Sequence, residues 1–343
     1  MPITRRQFLG LAALILAGCT SFPNYTEEFL VKAYSDLLDF YKEKVGKPKF
    51  KKEDITKRDI DLDGYFCTVY EAPESRSFGS FYHNLGGNNT LHKGLAKILA
   101  SYGHSSILPD MPGHGKTKQA HPDFSIEECF RCVEKVNGWI QENYPEKRCW
   151  RAGTSIGADV AIYSSLKYQD VDTVIAHAPM INSVKPLNWQ VGLARTPLGR
   201  LIIYAVKDNP LPLKDIFKIM GELIKIPGKA VQELLKIRDE EVDLPGFCEF
   251  LDYDEKKPFS ELPPTLVIAG VGDRWIPERH EIEVVGKLRE ENSPIELMLL
   301  DDDTNPRNKG SHLLLAQFYD EFGYVFVEWL DRNLKKHASK PNE

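Results

Sequence analysis

Hydrophobic and polar positions along this chain follow two periods, one typical of buried strands and one typical of helices. Short apolar runs predict strands, and apolar residues spaced three or four apart predict helices between them. The predicted strands are 65–70, 80–83, 106–108, 148–152, 173–177, 265–269 and 296–300. The predicted helices are 25–45, 91–102, 125–144, 156–167, 277–291 and 319–336. Such alternation predicts the α/β class, with a mostly parallel central sheet and helices on both faces.

Prolines interrupt this alternation between residues 181 and 262, where apolar helical pieces lie between them. We interpret 181–262 as an inserted helical cap, which divides the core into 59–180 and 263–343. Residues 20–58 are predicted to be an N-terminal helix and a linker. The lysine-rich part of this segment, 42–58, is predicted to be solvated, and a surface facing anionic lipid is the alternative.

The segment around Ser155 carries the main chemical signal. Gly153-Thr154-Ser155-Ile156-Gly157 is a G-x-S-x-G match between a predicted strand and a predicted helix. A sharp strand-to-helix turn holds the serine in a strained conformation and crowds the positions two before and two after it. Glycine at Gly153 and Gly157 removes the Cβ atoms that would clash there. The pattern therefore predicts a nucleophilic serine, and an ordinary structural turn is the alternative.

This arrangement resembles the α/β-hydrolase family over about residues 60–336. In that family the catalytic residues follow the chain order nucleophile, acid, histidine. The resemblance implies that Ser155 is the nucleophile, Asp273 the acid and His312 the general base. Asp273 follows a predicted strand in a glycine-containing turn, where helix capping is the alternative role. The run 301–303 offers rival acids, and an exposed loop histidine is the alternative for His312.

Two loops near the expected site extend the resemblance. The oxyanion hole would use the backbone N–H of Ile156 and a second N–H from the loop that begins at His83, where Leu85 is preferred and Gly86 is the alternative. The second loop, 110–117, matches an Asp-x-x-Gly-x-Gly stretch that capped esterases, lipases and peptidases of this fold carry. We interpret it as a structural turn, because a phosphate loop would need a different spacing of glycine and lysine.

The first 19 residues are predicted to be a targeting segment and not part of the fold. The stretch 4–9 contains Arg5 and Arg6 and resembles a twin-arginine export signal. An apolar run follows and ends at Cys19 in a stretch that resembles a bacterial lipoprotein box. The resemblance implies lipidation of Cys19 and a lipid-anchored protein of the bacterial cell envelope, and an ordinary signal peptide or short anchor is the alternative.

Composition narrows the possible partners. The formal net charge of −6 gives no basic face, so we do not expect nucleic-acid binding. Cysteine spacing indicates no disulfide framework. The pair Cys129 and Cys132 lies in a helical pattern without a second pair, so we interpret both as core residues, with metal or redox chemistry as the alternative. We expect neither a metal nor a cofactor.

Together these patterns predict a serine hydrolase that cleaves a carboxylic ester, in the manner of an esterase or lipase, on a small-molecule or lipid substrate. The overall resemblance is closest to lysophospholipases and monoacylglycerol lipases. A serine aminopeptidase or a thioesterase shares the motifs, and acidic cap residues would favour the peptidase by holding a substrate amine. Those residues are Glu240, Glu241 and Asp243. A non-catalytic envelope lipoprotein that binds a ligand is the remaining alternative.

Overall fold

The computed structural model describes residues 31–181, 253, 257–270, 278–301 and 319–335. Its nine strands in these ranges form one sheet in the order β1-β9-β8-β7-β6-β4-β5-β3-β2. The strands are β1 (Val31–Ala33), β2 (Thr56–Leu62), β3 (Tyr65–Glu71), β4 (Ser77–Tyr82), β5 (His104–Pro109), β6 (Arg148–Thr154), β7 (Thr173–His177), β8 (Thr265–Gly270) and β9 (Ile295–Asp301). The helices are α1 (Tyr34–Val45), α2 (Lys93–Ser101), α3 (Ile126–Asn143), α4 (Ile156–Tyr168), α5 (Glu278–Glu290) and α6 (Tyr319–Lys335).

The strand directions place the carboxyl ends of six neighbouring strands at one edge of the sheet. Strands β4 to β9 pair in parallel, and β3 pairs antiparallel with both β5 and β2. The chain order reverses at β4, which lies between β5 and β6. Ligands of open α/β sheets bind outside the carboxyl ends of the strands at such a reversal. The turn after β6 and the loop after β4 meet at this point.

Side chains that alternate along the central strands pack into two layers. Ala152, Ile175 and Ile268 face α2 and α6 in one apolar cluster. Val174 and Val267 point the opposite way and pack with α3, α4 and α5. Each strand thus buries both of its faces, as expected of a parallel sheet covered by helices. The predicted fold class is confirmed.

One charged pair interrupts the apolar layer under α4. Arg151 lies on β6 with a side chain that is 0% exposed, and its guanidinium contacts Asp170 at 2.9 Å. The same guanidinium donates to Ser165 Oγ at 3.0 Å. A buried cation needs this pairing because an unpaired charge in the core costs several kcal/mol.

The N-terminal part differs from the prediction. We predicted a helix over 25–45, but the described part begins with strand β1 and the helix starts only at Tyr34. Strand β1 pairs in parallel with β9, so Val31–Ala33 extends the sheet at its edge. The local spacing of apolar residues does not reveal a pairing with so distant a strand. The helix that follows is tied to α6 by the ion pair between Lys44 and Glu328 at 2.5 Å.

The lysine-rich segment is also more ordered than a linker. Strand β2 begins at Thr56 and pairs with β3 along its whole length. Its sequence is largely polar because most of its side chains are exposed, which is why the apolar pattern missed it. Val45 and Ile55 pack against the same cluster as α6. Among the described helices, none has the length and apolar character needed to cross a bilayer.

Candidate active site

Ser155 occupies a strained turn between β6 and α4. Its φ of 56° and ψ of −124° lie in a region that a non-glycine residue rarely adopts. Its N–H donates to the His177 carbonyl at 2.8 Å, and its own carbonyl accepts from Ala158 N at 2.8 Å, which starts the helix. Such strain costs about 1–3 kcal/mol and persists only where the surroundings enforce it. The turn therefore has the conformation expected of a nucleophile elbow.

The two glycines of the turn have no room for a side chain. A Cβ on Gly153 would stand 2.0 Å from the Gly157 carbonyl oxygen. A Cβ on Gly157 would stand 2.3 Å from the Tyr82 carbonyl oxygen and 2.5 Å from that of His83. All of these neighbours are backbone atoms, which cannot swing aside as a side-chain end can. The clash predicted from the sequence is present, and Gly157 brings the elbow against the end of β4.

In the loop after β4, the Leu85 N–H has no acceptor among the described residues, whereas its two neighbours toward the C-terminus do. The Gly86 N–H donates to His114 Nε2 at 3.0 Å, and the Gly87 N–H donates to the Asn84 carbonyl at 3.0 Å. In the described part of the chain, no acceptor lies within hydrogen-bond distance of the N–H of Leu85 or of Ile156. These are the two donors that we predicted for the oxyanion. The alternative donor, Gly86, is already engaged.

Three buried histidines lie close to this loop, and we call them the histidine group: His83, His92 and His114. Burial lowers the pKa of His83 to about 4 and, together with the neighbouring His83, that of His92 and of His114 to about 3. Transfer into the protein interior disfavours the charged imidazolium, so all three rings are neutral at ordinary pH.

Asp110 links the 110–117 loop to the loop after β4 through hydrogen bonds. One carboxylate oxygen accepts the Asn89 N–H at 2.7 Å and the other accepts the Lys116 N–H at 2.8 Å. Burial raises the pKa of Asp110, and these two backbone donors oppose that rise. Gly113 and Gly115 have φ values of 72° and 50°, which a tight turn requires. The contacts match the structural role that we predicted for 110–117.

Three of the four cysteines in the described residues are core residues, and the fourth, Cys149, is partly exposed. Cys67, Cys129 and Cys132, which we call the buried thiols, are free and at most 1% exposed. Burial raises the pKa of each thiol, so none is poised as a thiolate. Within the described residues, no three metal-binding side chains come close enough to hold an ion.

Several predicted site residues lie outside the described residues. These are Cys19, Asp273 and His312, together with the rival acids Asp302 and Asp303. The acidic cap residues Glu240, Glu241 and Asp243, and nearly all of the predicted cap, also lie outside them. The assignment of acid and base therefore stays a prediction.

Sequence reasoning missed the roles of His83 and His114. Both were visible, one at the start of the oxyanion loop and one between two glycines of the second loop. Their contacts join segments 28 residues apart, as in the hydrogen bond from Met111 N to His83 Nε2 at 2.9 Å. For His114, the flanking Gly113 and Gly115 were the available signal, because glycines on both sides mark a tight turn.

A family profile described as serine aminopeptidase, S33, matches residues 81–218, a range that includes the elbow and the oxyanion loop. No curated protein matches the chain. Many solved structures are similar. One is a highly thermostable carboxyl esterase from Bacillus coagulans in complex with glycerol, with 14% identity and a TM-score of 0.59, covering 82% of this chain and 99% of that one.

Two further solved structures are also similar to this chain. MenH from S. aureus has 17% identity and a TM-score of 0.56, covering 78% of this chain and 98% of its own. The epoxide hydrolase VrEH1 from Vigna radiata has 12% identity and a TM-score of 0.51, covering 82% of this chain and 100% of its own. The chain therefore has the α/β-hydrolase fold. An esterase and an epoxide hydrolase share this fold, so the fold alone does not select the reaction.

Proposed function

We propose that this protein is a serine hydrolase that cleaves carboxylic esters through an acyl-enzyme on Ser155. The observation that carries the proposal is the elbow: Ser155 has a φ of 56° at the carboxyl end of a central strand. Two backbone N–H groups without acceptors in the described region, those of Leu85 and Ile156, accompany it. The strained Ser155 backbone and the unpaired N–H donors both cost stability, and a role in binding an oxyanion explains why the protein retains them.

The mechanism follows from these groups and the predicted triad. His312 takes the proton of Ser155 Oγ as the oxygen attacks the ester carbonyl carbon, and the N–H groups of Leu85 and Ile156 stabilise the oxyanion. His312 then donates that proton to the alkoxide that leaves, and an acyl-enzyme remains. Water repeats the sequence, regenerating the serine and releasing the acid. Asp273 would orient His312 and stabilise its imidazolium.

The first test is hydrolysis of p-nitrophenyl esters of short and long acyl chains. We expect measurable turnover by the wild-type protein and a loss of at least about 10⁴-fold in Ser155→Ala. Ser164→Ala is the matched control, because Ser164 is a buried serine on the same helix whose hydroxyl donates to the Val160 carbonyl. Equal activity in Ser155→Ala and wild type would refute the assignment.

The matching family profile favours a second candidate, a serine aminopeptidase that uses the same residues. Its description names that activity, and the matched range includes Ser155. An amide needs protonation of a poorer leaving group, but the nucleophile and oxyanion donors are unchanged. Aminoacyl p-nitroanilides separate the two: faster cleavage of these than of simple esters, lost in Ser155→Ala, would replace the esterase proposal. A protein inert toward both would instead favour a binding module.

We also propose that the protein is exported and anchored by a lipid on Cys19. The support is the N-terminal sequence alone, with paired arginines before a short apolar run that ends at this cysteine. Mass spectrometry of the mature protein from bacterial membranes should find a lipid-modified N-terminal Cys19. An unmodified chain beginning at Met1 would contradict the proposal, and Cys19→Ser should release the protein from the membrane fraction.

A further inference from the structure

Two members of the histidine group enclose the loop that carries Leu85, and among the described residues each bonds only to backbone. His83 accepts the Met111 N–H on Nε2 at 2.9 Å, and its Nδ1 lies 2.8 Å from the Asn84 carbonyl oxygen. His114 accepts the Gly86 N–H on Nε2 at 3.0 Å, and its Nδ1 lies 2.7 Å from the Pro112 carbonyl oxygen. The two rings contact edge to face, with centroids 5.1 Å apart.

These partners fix the tautomer of each ring. A backbone N–H can only donate, so Nε2 of both histidines carries no proton. A carbonyl can only accept, so Nδ1 of both carries one. The neutral Nδ1–H form satisfies all four contacts, and the imidazolium would leave two N–H groups facing donors. The lowered pKa values of His83 and His114 agree with neutral rings.

The bonds determine which way the Asn84–Leu85 peptide points. The Asn84 carbonyl accepts from His83 Nδ1 at 2.8 Å and from the Gly87 N–H at 3.0 Å, within a turn whose third residue, Gly86, has a φ of 73°. In a trans peptide the following N–H points opposite to the carbonyl. With this carbonyl held by two donors, the Leu85 N–H is held in the opposite direction. His114 meanwhile engages Gly86, the nearest competing donor.

We propose that His83 and His114 are positioning residues, which hold the Asn84–Leu85 peptide so that the Leu85 N–H faces the oxyanion. The inference rests on the proposed function, because the Leu85 donor has a task only if an oxyanion forms. Among the described residues, both histidines hydrogen-bond to backbone groups and neither bonds to Ser155. They give the protein a preformed oxyanion hole that needs no rearrangement when substrate arrives.

The alternative is that both histidines only satisfy buried backbone groups. Kinetics distinguish the two roles, because oxyanion stabilisation acts in the transition state and not in substrate binding. We expect His114→Ala to lower kcat by about 10²-fold, the lower end of the loss for one oxyanion donor, with KM within about threefold of wild type. His114→Gln should recover kcat to within about tenfold of wild type, because its amide oxygen can take the place of Nε2.

The matched control is His104→Ala. His104 is also a buried histidine, but it begins β5 at the opposite edge of the sheet, where it contacts Ser77 at 2.8 Å. His104→Ala should lower the melting temperature about as much as His114→Ala does, while leaving kcat near wild type. An active wild type whose kcat is unchanged in His114→Ala would overturn the inference alone. A wild-type protein inert toward esters and toward a fluorophosphonate probe would refute the proposed function, and with it the inference.

A measurement on the unaltered protein covers the case in which variants fail to fold. Nitrogen-15 NMR of the imidazole rings reports the protonation of each ring nitrogen without any assay of activity. We expect both His83 and His114 to be neutral Nδ1–H tautomers at pH 7 and still neutral at pH 5. Protonated Nε2 on either ring at pH 7 would contradict the hydrogen bonds on which the inference depends.

Discussion

Replacing Gly157 with alanine tests the close approach between the elbow and the oxyanion loop. The new Cβ would stand 2.3 Å from the Tyr82 carbonyl oxygen, whereas ordinary contact begins near 3.4 Å. The end of β4 or the start of α4 must therefore retreat by about 1 Å. Overpacking of this kind costs about 1–3 kcal/mol. A shift of about 1 Å between catalytic groups costs about 10²-fold in rate.

The assay pairs thermal unfolding with ester hydrolysis. We expect Gly157→Ala to lower the melting temperature and to lower kcat by at least about 10²-fold. Gly138→Ala is the control, because Gly138 lies in α3 and its Cβ would meet nothing within 4 Å. That substitution should leave kcat unchanged and stabilise the protein by about 0.5–1 kcal/mol, the usual gain for alanine over glycine in a helix. Wild-type stability and kcat in Gly157→Ala would refute the argument.

Three further predictions concern the body of the fold. Asp170→Asn should lower the free energy of unfolding by about 3 kcal/mol because it leaves the Arg151 cation buried without its partner, whereas Glu296→Gln at the exposed pair with Arg332 should cost about 1 kcal/mol or less. Urea unfolding measures both losses, and equal losses would contradict the difference expected between the buried and the exposed pair. The histidine group has folded pKa values below the ordinary 6.5, so the unfolded chain binds protons that the folded protein does not. As the pH falls from about 6 to about 4, the free energy of unfolding should therefore fall by up to about 4 kcal/mol per pH unit, and a flat profile in this range would count against the buried neutral rings. The buried thiols should resist alkylation in the folded protein and react fully in denaturant, as peptide mapping would reveal, and rapid labelling of the folded protein would contradict their burial.

The sequence predicts most of the central sheet because its strands are buried on both faces. Thr173–His177 was predicted with the bounds that the structure has, since its five residues are all buried and apolar runs of this length favour strands. The elbow could also be predicted from the sequence, because a strained and crowded turn requires specific residues at fixed spacing around Ser155. Chemistry that depends on local backbone geometry leaves a local signature.

Elements whose surroundings come from distant segments were not predictable. Strand β1 depends on the open edge beside β9, far along the chain, and its own residues follow a helical spacing. At the start of α3, Ser125 and Glu128 have the spacing of a capping box, and Ser125 Oγ accepts the Glu128 N–H at 3.2 Å, but the Glu128 carboxylate accepts from Tyr65 at 2.5 Å instead of completing the box. The choice of Leu85 over Gly86 likewise depends on His114, which only the folded chain brings near.

The proposed function requires that the Ser155 hydroxyl is an activated nucleophile. The most direct measurement treats the folded protein with a fluorophosphonate and locates the adduct by peptide mass spectrometry. We expect one phosphonate on the peptide that contains Ser155, and none on this peptide in Ser155→Ala. A folded, soluble protein that carries no adduct on Ser155 under conditions that fully label a known serine hydrolase would contradict it.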